Sequence, residues 1–217
     1  MTAMSMFGTT GLVLIPTANI LPDGKLALGI SYTDEKYGKY SSRHTAQIAS
    51  YATLGYLPFL EVSLRVTKYP NLPWSENYRS AVERMASVKL QVFREKRFFP
   101  SVVLGVNDLY GKSIQYNAQY FVISKLVNPP LLKHIGIHIG YAPNPIKSKR
   151  IYNYSLQGIF AGLETQLYKS ISAMLEYDSK KFNIGLRIAP LADFIYINVV
   201  ALGLNHISGN INISFDL

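Results

Sequence analysis

The stretch HIGIHIGY, residues 134–141, decides the fold class: Ile135, Ile137, Ile139 and Tyr141 occupy every second position, with His134, Gly136, His138 and Gly140 between them. Successive side chains of a β-strand point to opposite faces, so this spacing describes a strand with one apolar face and one face of glycine and histidine.

The same period of two recurs along the chain. Leu26, Leu28, Ile30 and Tyr32 alternate with Lys25, Ala27, Gly29 and Ser31, while Val62, Leu64 and Val66 alternate with Glu61, Ser63, Arg65 and Thr67. Further runs cover 87–92, 158–164, 171–177, 182–188 and 210–215. Less regular ones lie near 44–53, 100–107, 117–127 and 194–203. With 134–141 these make about twelve strands, and no segment carries a helical period.

Short connections (LGYLP, EKRFFP, NPP, LYKS, PLAD) alternate with a set that is mostly longer (DEKYGKYSSR, YPNLPWSENYRSAVER, LYGKSIQYN, APNPIKSKRIYNYS). An even number of antiparallel strands with short turns at one end and longer loops at the other predicts an all-β fold, a closed antiparallel transmembrane β-barrel over 25–217. The apolar positions then face lipid and the polar ones a lumen. Tyr32, Tyr51, Phe59, Phe99, Tyr141, Tyr168, Tyr177, Phe182, Phe194 and Phe215 are expected at the interfacial girdles. The competing reading is a soluble sandwich or barrel with the faces reversed, which would put Thr, Lys and Glu rather than Gly and Ala on the wet face.

Composition agrees with a membrane barrel. Charged residues are 16% of 217, against roughly 25% in ordinary soluble domains, and the chain carries 16 Tyr and 10 Phe. With no cysteine, disulfides and thiolate metal sites are excluded and no lipid anchor is expected on this sequence. No secretory signal is visible in the opening residues, so one is taken to be absent from this chain. The net charge of +9 suits anionic lipid headgroups or acidic polysaccharide. Nucleic acid is not expected, because the basic residues scatter among loops, turns and lumen.

Four stretches together resemble the YjbH-like outer-membrane proteins. In GLVLIPTANILPDGKLALGISY the pattern falls on Gly11, Leu12, Pro16, Thr17, Ala18, Asp23, Gly24, Gly29 and Ser31. In FLEVSLRVT it falls on Leu60, Glu61, Ser63, Arg65 and Thr67. FPSVVLGVNDLYG carries it at Pro100, Leu104, Gly105, Asp108 and Gly111, and YFVISK at Tyr120, Val122, Ser124 and Lys125. The resemblance implies an outer-membrane barrel associated with exopolysaccharide or capsule genes, acting as a non-enzymatic component of export or assembly. A small-solute pore or plugged channel is the alternative, and an outer-membrane lipid hydrolase using His44 or His206 a further one.

The residues expected to line the lumen are Lys25, Glu61, Arg65, Lys89, Gln91, His134, His138, Glu164, Glu176 and Arg187, forming a network that offsets buried charge or selects what passes. His134 and His138 share a face but lie about 13 Å apart along a strand, too far to hold one metal by themselves. No cofactor is expected. The basic run at Lys147, Lys149 and Arg150 is a solvated turn or a contact for anionic glycan or lipopolysaccharide.

Residues 1–24 do not fit the strand count. Leu12, Val13, Leu14 and Ile15 are continuously apolar, and Pro16 and Pro22 remove backbone donors that a central strand needs. Residues 7–20 are therefore expected to fold inward as a lumen plug, where Gly29, Gly136, Gly140 and Gly162 leave room. A short extra strand or a periplasmic tail is the alternative.

Overall fold

Wherever the alternation is strict the chain forms a strand, and each strand pairs antiparallel with its neighbours. The structure is a computed structural model and describes residues 3–40, 43–72, 82–108, 116–129, 134–143, 156–191 and 194–217. The strands are β1 (Lys25–Thr33), β2 (Lys39–Tyr40), β3 (Arg43–His44), β4 (Gln47–Leu57), β5 (Leu60–Lys68), β6 (Val82–Phe93) and β7 (Ser101–Asn107). They continue with β8 (Ala118–Val127), β9 (Ile135–Ala142), β10 (Gly158–Tyr168), β11 (Ile171–Tyr177), β12 (Phe182–Leu191), β13 (Ile195–Leu202) and β14 (His206–Asp216).

Twelve of these close into one barrel in the order β1-β14-β13-β12-β11-β10-β9-β8-β7-β6-β5-β4. Closure comes from β1, which pairs with β4 on one side, with Ile30 opposite Ser50, and with β14 on the other, with Ile30 opposite Ile211. No barrel edge is left unpaired. Strands β2 and β3 form a separate two-stranded sheet, within the stretch read as the first long connection. The register shifts at Gly55/Leu57, Gln91/Phe93, Gln166/Tyr168 and Ile188/Leu191 all fall at the short-turn end, where bulges increase twist at a barrel rim.

The outward face is apolar and open: Ile30, Leu64, Ile139, Ile159 and Ile211 are each half exposed or more. Rows of this kind around a whole barrel are the lipid face of a transmembrane barrel. The partner face of the 134–141 stretch is buried, with His138 3% exposed against 54% for Ile139.

Two expectations need correction. Tyr51 is not in a girdle; it points inward and is 4% exposed, because β4 runs with Gln47, Ala49, Tyr51 and Thr53 on its buried face. His134 does not line the lumen. It is exposed immediately before β9, in a left-handed backbone conformation (φ 38°), with Nδ1 2.5 Å from Asn128 Oδ1.

The glycine face is filled from neighbouring strands. Gly29 lies opposite Tyr51, Gly105 opposite Tyr120 and Gly140 opposite Phe160 across adjacent strands. A Cβ added to these glycines would lie 2.4, 2.1 and 2.2 Å from the facing ring. Each absent side chain lets an aromatic ring from the next strand lie flat along the lumen wall.

Candidate functional site: the filled lumen

Residues 3–21 lie inside the barrel. Ala3, Met4, Met6, Leu12, Val13, Ile15, Ala18 and Leu21 are all buried. Leu12, Val13 and Ile15 join a core with Val103, Val122, Phe160, Met174 and Val200, which point inward from β7, β8, β10, β11 and β13. Full burial of a Val, Leu or Ile side chain stabilises by roughly 1.5–3 kcal/mol. Of the four glycines expected to make room, Gly162 does so: a Cβ there would meet Leu12 Cδ1 at 2.5 Å and Ile15 Cδ1 at 2.8 Å. Gly29 and Gly140 are covered by wall aromatics, and Gly136 faces the His138 ring and Glu164.

A buried segment outside the sheet must find partners for its backbone. Some are internal: Ser5 N donates to Thr9 O (2.8 Å), Met6 N to Val13 O (2.8 Å), Gly11 N to Ala3 O (3.0 Å) and Leu12 N to Ile15 O (3.1 Å). Gly8 has φ of +84° and packs on the Tyr51 ring, which suits glycine alone. The remaining partners come from the lumen wall.

Glu176 on β11 accepts the N–H groups of Val13 (2.9 Å) and Ile15 (3.2 Å) on Oε2 and that of Leu14 (2.9 Å) on Oε1, to which Asn183 also donates at 3.0 Å. Glu61 on β5 accepts from Thr10 N (2.9 Å), Thr10 Oγ1 (2.8 Å) and Leu21 N (2.8 Å). The cations take the carbonyls. Lys89 Nζ donates to Thr10 O (2.8 Å) and Asn19 O (2.7 Å), contacts Thr10 Oγ1, and lies 4.0 Å from Glu61. Arg187 donates to Gly11 O (2.9 Å), Asn198 Oδ1 (3.0 Å) and Glu164 Oε2 (2.9 Å). Gln91 reaches Ala18 O at 3.0 Å. In this way a charged lumen holds an apolar peptide: the charges meet its backbone, and the inward Val, Met and Phe meet its side chains.

Other expected lumen residues fall around this core. Arg65 is buried, stacks between Phe7 (5.1 Å) and Tyr116 (4.9 Å), and its Nε and Nη1 have no hydrogen-bond partner among the described residues. Lys25 begins β1 at the short-turn rim, half buried and opposite Asp216. His138 Nδ1 lies 2.7 Å from Ser124 Oγ, which in turn accepts Ala18 N (2.7 Å), so this serine–histidine contact holds the segment. His206 pairs with Asp34 at 3.4 Å and His44 is exposed at the long-loop mouth. Lys147, Lys149 and Arg150 lie outside the described residues. Among the described residues no group of three His, Cys, Asp or Glu is arranged to hold a metal ion.

Among the described residues, two cavities flank the segment. One of about 410 Å³ opens at the short-turn end, lined by Asn19, Gln91, Arg94, Glu95, His138 and Glu164 among others. One of about 330 Å³ opens at the long-loop end and is floored by Phe7 and Leu14. Between them, a space of about 10 Å³ remains beside Thr10, Glu164 and Arg187.

Fold and lumen define a porin-like transmembrane β-barrel whose interior is occupied by its own N-terminal segment. The chain belongs to the YjbH family, described as "Exopolysaccharide biosynthesis protein YbjH", whose profile matches residues 3–185. It is 28% identical over 132 residues to the "Uncharacterized lipoprotein YjbH" of Escherichia coli (strain K12); the match covers 58% of this chain and 17% of that protein. Among solved structures it is similar to the KdgM porin, with a TM-score of 0.52 at 12% identity over 89% of this chain and 99% of that one. The NanC porin gives a TM-score of 0.49 at 11% identity over 88% of this chain and 100% of that one.

Proposed function

We propose that this barrel sits in the bacterial outer membrane and is a non-enzymatic component of exopolysaccharide export or assembly. The observation that carries the reading is family membership over residues 3–185 on a porin-like barrel, with outer-membrane lipid and lipopolysaccharide as its surroundings and envelope proteins or anionic polysaccharide as partners. The lumen charges hold a peptide, and the hydroxyl of the Ser124–His138 contact is itself engaged by Ala18 N, which favours a structural or conducting role over hydrolysis. Deleting the gene in a polymer-secreting host should lower secreted polymer while leaving polymer synthesis intact. Unchanged secretion would overturn the reading.

A specific observation favours a second, narrower reading, that of a plugged channel: among the described residues two cavities open to opposite mouths, and residues 3–21, with the wall side chains that pack on them, lie between. Planar-bilayer conductance tests it. A folded variant lacking residues 3–20 should pass more current than the full chain, and equal current would reject the plug.

A further inference from the structure

The short-turn connection between β6 and β7, REKRFFP over 94–100, is held in one shape. Lys96 N donates to Phe99 O (3.0 Å), which leaves Arg97 and Phe98 as the two residues of its tip. Strand β8 clamps that tip from the side. Lys125 Nζ donates to the carbonyls of Lys96 (2.6 Å) and Arg97 (3.0 Å) and pairs with Glu95 at 3.1 Å, and Glu95 in turn accepts Leu126 N (3.1 Å).

What the clamped tip presents is apolar. Phe98 is 80% exposed and Phe99 70%, the most exposed aromatic side chains among the described residues. These rings continue a surface rather than stand alone. Val92 and Phe93 at the end of β6, Leu126 and Val127 at the end of β8, and Phe59 in the next turn, whose carbonyl accepts Gln91 N (2.8 Å), are exposed as well. The apolar belt of the outward face therefore runs on to the short-turn rim and ends at this tip, and an exposed apolar patch continuous with a lipid face is itself a lipid contact.

Two cations stand among the rings. Glu95, the carboxylate of this connection, is taken by Lys125. Among the described residues neither the exposed Lys96 nor the exposed Arg97 has an ion pair or a side-chain hydrogen bond. Arg97 Cζ lies 5.1 Å from the Phe98 ring centroid. A guanidinium stacked on a ring keeps the N–H donors of its edge, a planar fork that matches the oxygens of a phosphate. Ring and fork together suit a molecule with an apolar body and a phosphate head.

We infer that the tip of the β6–β7 connection is a binding site for an anionic phospholipid, with Phe98 and Phe99 set among its acyl chains and Lys96 and Arg97 on its headgroup phosphate. This rests on the outer-membrane placement proposed above and names the lipid partner at one point of the rim. The short turns of such barrels face the periplasm, where the leaflet is phospholipid. Lysine and arginine at a membrane surface favour anionic over zwitterionic headgroups, because the attraction follows net lipid charge. The clamp from Lys125 ties the tip to β8, so a bound lipid would anchor this sector of the wall as well as the turn.

Native mass spectrometry of the full chain in detergent, offered equal amounts of phosphatidylglycerol and phosphatidylcholine with the same acyl chains, tests the assignment. Phosphatidylglycerol should be retained in preference by about fivefold or more, and glycerol phosphate in large excess should not displace it. Folded K96Q/R97Q should lose the preference, while K36Q/K181Q at the opposite mouth should keep it. Equal retention of the two lipids, the result a protein-facing patch would give, would overturn the site. So would a preference unchanged in K96Q/R97Q, an equal loss in K36Q/K181Q, or displacement by glycerol phosphate, which would mark a site for free phosphate. Insertion of the chain into phosphatidylcholine vesicles reports the membrane placement by itself, so the two readings fail separately.

Discussion

Glu61 and Glu176 stand on diametrically opposed strands, β5 and β11, with five strands between them in either direction around the barrel. Each grips a different part of the same peptide, Glu61 at Thr10 and Leu21 and Glu176 at Val13 to Ile15. Lys89 on β6 and Arg187 on β12 repeat the opposition one strand on, and hold its carbonyls. The segment is suspended between two facing acid and base pairs.

Replacing Glu176 by Leu removes the acceptor for three buried N–H groups. The expected cost is about 1–3 kcal/mol, read as a lower unfolding midpoint in detergent by the shift between folded and heated gel mobilities. Glu164→Leu should cost less, because Arg187 keeps Gly11 O and Asn198 as acceptors and Glu164 is partly exposed. The reverse order would contradict the assigned roles.

Charge placed on the two faces of β9 should have unequal effects. Ile137→Arg puts a cation on the lipid face, at a cost of about 2–4 kcal/mol near the bilayer midplane, whereas His138→Arg points into a polar cavity. Yield of folded barrel in the outer membrane measures the difference, and equal yields would mean that the faces are misassigned.

Gly105 and Tyr120 should be coupled. Gly105→Ala alone forces its methyl into the Tyr120 ring and should destabilise by about 1–3 kcal/mol, as overpacking does. In a Tyr120→Ala background the same change should be close to neutral. Additive effects in this double-mutant cycle would reject the pairing.

Gly162→Val offers a test of lumen occupancy that needs no electrophysiology. In the full chain the new side chain collides with Leu12 and Ile15 and should lower the unfolding midpoint, while in a folded barrel lacking residues 3–20 it should be tolerated. A penalty of the same size in both proteins would place the collision elsewhere.

Strand number, closure and facing were legible because lipid and lumen impose opposite demands on alternate residues, as Ile137 and His138 show. What escaped had physical causes. Tyr51 reads as a girdle aromatic by composition, but a ring of that size is also what a neighbouring glycine accommodates, and only the register opposite Gly29 reveals it. Val103, Val122 and Val200 look like lapses in the polar face, yet they are where the wall meets the apolar side chains of the segment. His134 continued the period of its strand by one residue into a turn, where backbone conformation rather than alternation sets its direction. The long-loop cavity was hidden because the residues that line it, among them Lys36 and Lys181, come from two distant loops that closure of the barrel brings together.

The barrel is sealed by pairing its first strand with its last, and this dictates an order of assembly. Partners of the segment are spread over β5, β6, β11 and β12, so residues that precede the whole barrel in sequence find their places only once nearly all the wall exists. Long sequence separations of this kind slow folding. Until the seam at β1 and β14 zips shut, the apolar run at 12–15 has no enclosed site to occupy. The nascent barrel must carry residues 3–21 as an unfolded passenger, and insertion of the wall and capture of the peptide become one terminal event.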